Sequence, residues 1–369
     1  MFSNIFLKTF RILLLPFALI YWLAIAIRKW LYDKKISHSA SFGLPVICVG
    51  NLSVGGTGKS PMVEYLVEML KDKFNVATLS RGYKRKTKGY TLADDNSTAL
   101  EIGDEPMQFY LKFPGISVAV GEERLEAIPE LLHDKPGTQV IILDDAFQHR
   151  SINAGLNILL TDYGNLFTRD FYLPTGDLRD LKSSYKRAEV IVVTKCPPDL
   201  SEKERNEIII EINPLQGQPV FFTKIQYDEP YHISTKKNIS LTEKKEVLLV
   251  SGIANPKPLK KLLEDYSEVY YMMQYPDHYI FTIDDLKEIK KRFESIDSKN
   301  KIILTTEKDA VRLVKFNNAI NELPLFVVPI RHRFLFDGEK QFNQMINDFI
   351  QNFAHSPHTG LAEQAFSAR

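Results

Sequence analysis

A chain of 369 residues is longer than one hydrophobic core ordinarily serves, so two domains are expected, each large enough to bury a core of its own. With 44% hydrophobic and 25% charged residues, the composition is that of a globular protein and excludes a disordered one. The net charge of +1 argues neither for nor against nucleic acid, and the two cysteines, Cys48 and Cys196, sit in or beside apolar runs, as small core residues of a chain in a reducing compartment do.

The first segment in chain order is apolar. Residues 12–27 carry no charge and are flanked by Lys8 and Arg11 on one side and by Arg28, Lys29 and Trp30 on the other. These sixteen residues fall short of the ~20 that cross a bilayer as a helix, and Pro16 is expected to kink or shorten them. Arg-Lys-Trp follows where a signal peptide would carry a small-residue cleavage site. The segment reads as a membrane-associated helix, lying in the interface or dipping into one leaflet, with basic and aromatic flanks at the headgroups. The competing reading is a helix buried against the soluble core.

Residues 46–49 have the pattern of a buried strand and residues 60–72 that of an amphipathic helix. Between them stands Ser53-Val54-Gly55-Gly56-Thr57-Gly58-Lys59-Ser60. Strand, glycine-rich turn and helix together make a phosphate cradle. Small residues let successive N–H groups turn inward, and the helix N-terminus adds partial positive charge. Lys59 would reach the β- and γ-phosphates of ATP, and the Ser60 hydroxyl would ligate Mg²⁺. Ser53 stands where the usual pattern opens with Gly, while Gly55 and Gly56 still leave room for positive φ. The alternative is an ordinary glycine-rich turn.

A strand at 76–79 leads into the loop Arg81–Lys88, which concentrates five cations beside Tyr83 and Tyr90. It would face a lipid headgroup or substrate phosphate, stack RNA bases, or stand solvated; the apolar N-terminus favours lipid. Gly103-Asp104-Glu105-Pro106 reads as a helix start, with Asp104 as its cap and Pro106 in its first turn. The same carboxylate pair offers a group to orient an attacking hydroxyl and take its proton. A strand at 116–120 and a helix at 122–133 follow. The strand at 140–143 ends in Asp144-Asp145, where a nucleoside-triphosphate site places the acid that holds Mg²⁺; a strand-end cap or turn is the alternative. Arg179 lies in a Pro- and Gly-containing loop, as a clamp on γ-phosphate charge or as a solvated arginine. With strands at 156–160 and 190–194, the alternation implies a parallel sheet covered on both faces.

Composition changes after about residue 213, through an extended stretch at 219–227 and a Lys-rich one at 236–245. A second βα series follows, with strands at 247–250, 269–272, 302–304 and 325–329, helices at 258–264 and 283–293, and a closing amphipathic helix at 341–353. Asp277-His278 falls in its loops, where a His would tune a carboxylate or simply face solvent. The expected fold is therefore α/β: a P-loop-containing parallel-sheet domain with a second, smaller α/β domain and an N-terminal membrane-associated helix. The expected divisions are 1–35 (membrane-associated helix), 36–213 (nucleotide-binding domain), 214–245 (extended linker), 246–354 (smaller domain) and 355–369 (frayed tail).

Taken in order, several of these segments resemble one family. The run Gly50-Asn51-Leu52-Ser53-Val54-Gly55-Gly56-Thr57-Gly58-Lys59-Ser60-Pro61 looks like the phosphate loop of the tetraacyldisaccharide 4'-kinases, the lipid A 4'-kinases of Gram-negative bacteria. The likeness continues through Ser80-Arg81-Gly82-Tyr83, Gly103-Asp104-Glu105-Pro106, Val120-Gly121, Leu143-Asp144-Asp145-Ala146-Phe147-Gln148-His149-Arg150 and Leu173-Pro174-Thr175-Gly176-Asp177-Leu178-Arg179. It resumes at Pro276-Asp277-His278-Tyr279 and Thr305-Thr306-Glu307-Lys308-Asp309-Ala310-Val311. Ala146 stands where the family usually has Gly and Ser60 where many members have Thr; the tail after His355 lies outside the likeness.

The resemblance implies ATP-dependent phosphorylation of the 4'-hydroxyl of a tetraacylated glucosamine disaccharide 1-phosphate, by an enzyme on the cytoplasmic face of the inner membrane. It implies that Asp104 is the base and that His278 is paired with it. Lys59 and Arg179 would then offset charge on the transferring group, with Mg²⁺ held among Ser60, Asp144, Asp145 and Glu105. No nucleic acid and no obligate protein partner is expected. Two rivals remain: a soluble P-loop kinase of a small metabolite, against which the apolar segment argues, and a membrane-bound nucleotide switch, which would leave Asp104 and His278 with no acceptor to serve.

Overall fold

A computed structural model describes residues 13–240, 245–253 and 255–354; the expected flank at Lys8 and Arg11 and the tail 355–369 lie outside these residues. Among the described residues the strands form two sheets. The larger has nine strands in the order β14-β8-β7-β6-β1-β5-β2-β4-β3. In chain order these are β1 (Val46–Asn51), β2 (Val76–Ser80), β3 (Thr91–Leu92), β4 (Ser117–Val120), β5 (Val140–Asp144), β6 (Leu156–Asp162), β7 (Val190–Thr194), β8 (Val220–Tyr227) and β14 (Ile330–Phe334). All neighbours pair in parallel except the two edges, β3 on β4 and β14 on β8.

The central strands are parallel because they are apolar on both faces. Every residue of β1, β2, β5 and β7 is buried, and helices cover the sheet on either side. On one face, Met62, Val63, Leu66, Val67 and Leu70 of helix Lys59–Leu70 pack with Phe109, Phe342, Ile346 and Ile350. On the other, Ala127, Ile128 and Leu131 of helix Arg124–Asp134 pack with Ile208 and Ile212 of helix Glu202–Ile212. The parallel register, with Val49 opposite Asp144, puts the ends of β1 and β5 side by side. Crevices at the carboxyl ends of such strands are where open α/β sheets bind ligands.

The smaller sheet runs β11-β10-β12-β13-β9 and comprises β9 (Tyr231–His232), β10 (Lys245–Ser251), β11 (Ser267–Gln274), β12 (Lys301–Thr306) and β13 (Leu325–Val328). It too is parallel but for its edge, β9 on β13. Leu248, Val250 and Ile303 on one face and Val247, Leu249 and Leu304 on the other bury it between helices.

Three segments sit elsewhere than the sequence places them. Val220–Tyr227, expected within a linker, is a strand of the large sheet, and β14 returns residues 330–334 to that sheet. The closing helix Gly338–Ala354 packs there as well, through Phe342 and Ile346. The chain thus crosses between the sheets twice, once between β8 and β9 and once at Pro329 between β13 and β14.

The N-terminal helix spans Leu15–Asp33, with Pro16 in its first turn. There the missing N–H costs nothing, so proline starts the helix instead of kinking it. Its nineteen residues and mean hydropathy of 1.2 make it long and apolar enough to cross a membrane. Only Ala18 is buried, and Phe17, Leu19, Ile20 and Leu23 are each more than half exposed. A helix buried against the core is therefore not what forms.

Candidate active site

The phosphate loop is held from behind. Gly58 is the N-cap of helix Lys59–Leu70 at φ +86°, and a Cβ there would lie 3.0 Å from the His332 ring. Both facts require glycine. His332 Nε2 donates to the Gly58 carbonyl at 2.9 Å, and its Nδ1 accepts from the Thr223 hydroxyl at 2.9 Å. Burial pushes His332 down to about 4, which keeps the ring neutral for this bridge. Thr194 Oγ1 donates to the Thr57 carbonyl at 2.8 Å, and Asn51 Nδ2 to Thr57 Oγ1 at 2.8 Å. With these carbonyls and side chains tied outward, Gly55 and Gly56 stay open, nothing lying within 4 Å of where a Cβ would stand. Ser53 bridges Leu178, and Val54 N–H donates to the Asp177 carbonyl at 2.7 Å, which fastens the loop to the segment carrying Arg179.

Lys59, Asp145 and Arg179 meet at the end of β1 and β5. Lys59 Nζ lies 3.8 Å from Asp145 Oδ1 and 3.5 Å from the Gly55 carbonyl. Arg179 pairs with both Asp145 oxygens and donates to Asn51 Oδ1 at 2.5 Å. Burial pushes the Asp145 carboxyl up, but Lys59 and Arg179 outweigh it and hold it below the usual range. Burial pushes the Lys59 ammonium down. Asp144 is different: it is buried and, among the described residues, its Oδ2 meets Ser80 Oγ at 3.4 Å while its Oδ1 has no partner. Burial, then the charges of Asp145 and Glu105, push it up to about 7. Ser60 is half-buried in the first turn of the helix. Glu105 pairs with Lys308 at 3.1 Å.

Asp104 and His278 come together across 174 residues of sequence. His278 Nδ1 lies 2.8 Å from Asp104 Oδ2; an ionised carboxylate only accepts, so Nδ1 donates. Gly103, not Asp104, caps helix Asp104–Lys112, so the cap expected of Asp104 is not made. Its carboxylate turns instead to His278 and to Arg312, which the sequence reading did not single out. Burial raises Asp104, but the bonds from Arg312 and His278 outweigh it and hold it below the usual range. His278 takes φ +62°, the kind of strained backbone that collects at functional sites. The Tyr83 ring meets it edge-on at 5.8 Å, which brings the basic loop to the dyad. Arg81, Lys84, Lys86 and Lys88 are exposed, whereas Arg85 is bound to Glu122 at 2.7 Å.

Three cations surround His149. Burial, then Arg124, Arg81 and Arg28, push it down to about 4. Arg124 is itself buried, donating to the Gly121 carbonyl at 2.8 Å with its Nε unpartnered. The foot of the N-terminal helix docks beside them: Tyr21 donates to the Arg179 carbonyl at 3.1 Å and Arg28 to the Gln148 carbonyl at 2.9 Å. Two cavities, of about 740 and 280 Å³, lie near the sheet junction and are lined by neither Lys59 nor Asp104. His332 had one signal in the sequence: it holds the inward register of a strand whose neighbours Arg331 and Arg333 face out. Arg312 had only its spacing from Asp309, three residues back on one helix face.

The family model of tetraacyldisaccharide-1-P 4'-kinase (LpxK) matches residues 10–351. The tetraacyldisaccharide 4'-kinase of Flavobacterium johnsoniae is 45% identical over 342 residues, 92% of this chain and 97% of the relative. That of Bacteroides thetaiotaomicron is 42% identical over 352 residues, 92% of this chain and 93% of the relative. Among solved structures, the "apo" form of LpxK from Aquifex aeolicus in complex with ATP matches with a TM-score of 0.74 at 30% identity, over 92% of this chain and 99% of that one.

Proposed function

This chain belongs to the tetraacyldisaccharide-1-P 4'-kinase family, and from that premise we propose how its own residues carry out the transfer. The protein is an ATP-dependent kinase of lipid A biosynthesis, acting on the 4'-hydroxyl of a tetraacyldisaccharide 1-phosphate. In our reading the backbone from Ser53 to Ser60 cradles the ATP phosphates, with Val54, Gly55, Gly56, Thr57 and Gly58 presenting N–H groups and Lys59 offsetting phosphate charge. Arg179, its amino groups on Asp145 and Asn51, adds positive charge and ties its loop to the cradle. Asp104 orients the sugar hydroxyl and accepts its proton, with His278 holding the carboxylate.

The donor set fits Mg²⁺. Among the described residues no three His, Cys, Asp or Glu side chains converge on one point, and Mg²⁺ needs no such cage, since it takes one or two protein oxygens plus phosphates and water. Asp144, buried with an unpartnered oxygen, lacks the counter-charge a cation would bring. Asp145 and Glu105 are occupied by Arg179 and Lys308, so Asp144 with Ser60 would hold the ion. Bound there, Mg²⁺ would neutralise charge on the phosphates.

The observation that carries the reading is the Asp104–His278 contact, made between the two sheets' halves, beside a loop rich in lysine and arginine. The exposed apolar helix, with its foot on the Arg179 loop, supports placing the enzyme on the cytoplasmic face of the inner membrane, its mouth toward the lipid. The cations around His149 and the loop Arg81–Lys88 suit an anionic headgroup there. The test is to incubate purified protein with γ-labelled ATP and the disaccharide lipid in detergent. Labelled lipid is the expected product. Label released only as inorganic phosphate would instead mark a nucleotide switch.

A further inference from the structure

Arg312 approaches Asp104 as a fork: Nε donates to Oδ1 at 3.0 Å and Nη2 to Oδ2 at 2.5 Å. Two parallel bonds to one carboxylate fix its plane as well as its position, which a single charge on a flexible stem does not do. The fork is itself fixed. Its Nη1 lies 3.3 Å from Asp309 Oδ1, and Asp309, fully buried, accepts at Oδ2 from the Gly252 N–H at 3.0 Å and the Thr306 hydroxyl at 2.8 Å. Thr306 in turn caps helix Glu307–Leu313. A continuous set of bonds therefore runs from the end of β10 through Asp309 and Arg312 to Asp104 on the other half of the molecule. The carboxylate receives Arg312 on one edge and His278 Nδ1 at 2.8 Å on the same Oδ2. The other charged groups facing this point, Asp277, Glu105 and Lys308, each have partners of their own in His278 and in one another.

We propose that Arg312 is a positioning residue of the phosphoryl transfer, its fork setting the plane of the Asp104 carboxylate that receives the sugar hydroxyl. The inference rests on the reading of Asp104 as the base. It assigns to the helix Glu307–Leu313 a part in the reaction beyond holding the two halves together. Because the role is one of alignment, it belongs to turnover and not to ATP binding. It depends on the planar fork and not on charge alone.

The test compares Arg312→Met, Arg312→Lys, Asp104→Asn and the double variant Asp104→Asn/Arg312→Met in the full-length enzyme, measuring kcat and the KM for ATP. Arg312→Met is expected to lower kcat by about 100-fold, with the KM for ATP within about twofold of the parent, the usual scale for a misplaced reacting group. Arg312→Lys, which keeps charge but not the fork, is expected to lose about tenfold. In the Asp104→Asn background, Arg312→Met should cost nothing further, since its effect passes through that carboxylate. Unchanged kcat in folded Arg312→Met or Arg312→Lys overturns the proposal, as does a further loss on adding Arg312→Met to Asp104→Asn as large as the loss it causes in the parent. Should Arg312→Met not fold, Arg312→Lys decides alone. Parental turnover in Asp104→Asn would remove the base reading and this inference together; an inactive Asp104→Asn beside an unaffected Arg312→Lys would remove this inference only.

Discussion

Lys59, Asp145 and Arg179 form a compact arrangement in which two cations face the single carboxylate of Asp145, and burial makes the surplus positive charge matter. A triphosphate entering the cradle would bring several negative charges to this point, and Lys59 is the one flexible cation at the loop's own helix start. Lys59→Ala should therefore lower transfer by at least about 100-fold, the scale seen when one donor to developing charge is removed. Labelled-lipid formation at saturating ATP measures it; near-parental turnover would contradict the cradle. At this scale much was legible. Spacing alone singles out Lys59, Ser60 and the Asp144-Asp145 pair, because a glycine-rich turn and a strand-end acid are local patterns, and the fold brings Lys59 to within 3.8 Å of Asp145. Asp104 was not legible by itself: a carboxylate at a helix start has the sequence of a cap, and its actual partners lie 174 and 208 residues away. The residues left His278 between tuning a carboxylate and facing solvent, the family likeness paired it with Asp104, and neither extended to Arg312.

Between elements, the helices Asp104–Lys112 and Glu307–Leu313 lie against each other with charges matched in antiparallel order. Asp104 meets Arg312, Glu105 meets Lys308, and Lys112 meets Glu307 at 2.5 Å. Lys112 also reaches Glu64 of the phosphate-loop helix at 2.7 Å. Burial, then the charge of Glu307, push Glu64 up to about 7 despite Lys112. The folded state thus keeps a proton on Glu64 that the unfolded chain releases above about 4.5, so this group's contribution is fully present below about 4.5 and is lost as pH rises through about 7. Lys112→Met would leave two buried carboxylates facing each other, at a cost of about 3–5 kcal/mol. Denaturant melts should find that loss larger at pH 8 than at pH 5; an equal loss at both would contradict the assignment. The strands and helices here were mostly legible from periodicity. The membership of β8 and β14 was not, because neither the extended run Val220–Tyr227 nor the short β14 with its alternating arginines carries a pattern that says which sheet it joins.

For the whole molecule, the two sheets are joined by crossings at β8–β9 and at Pro329, and the second crossing runs straight into His332 behind the phosphate loop. The smaller half is thereby linked both to the phosphate loop and, through His278 and Arg312, to Asp104. The N-terminal helix completes the plan. Its apolar face is bare, while Tyr21 and Arg28 set its foot on the loops of Arg179 and Gln148. Exposed apolar area of this kind marks an interaction surface, and the proposed occupant is the lipid layer. Removing residues 1–33 should move the enzyme from the pellet to the supernatant when it is sedimented with anionic vesicles. Retention on the vesicles would show that the loop Arg81–Lys88 or another surface is the anchor.

Asp104 is proposed to act on the sugar hydroxyl next to a nucleotide it does not itself bind. Asp104→Asn, nearly isosteric, is the direct probe, assayed for calorimetric ATP binding and for label transfer to the disaccharide lipid on the same preparation. ATP affinity within about threefold of the parent, with transfer reduced by about 100-fold or more, is the expected result. Transfer at the parental rate, or loss of ATP binding in a folded variant, would contradict it.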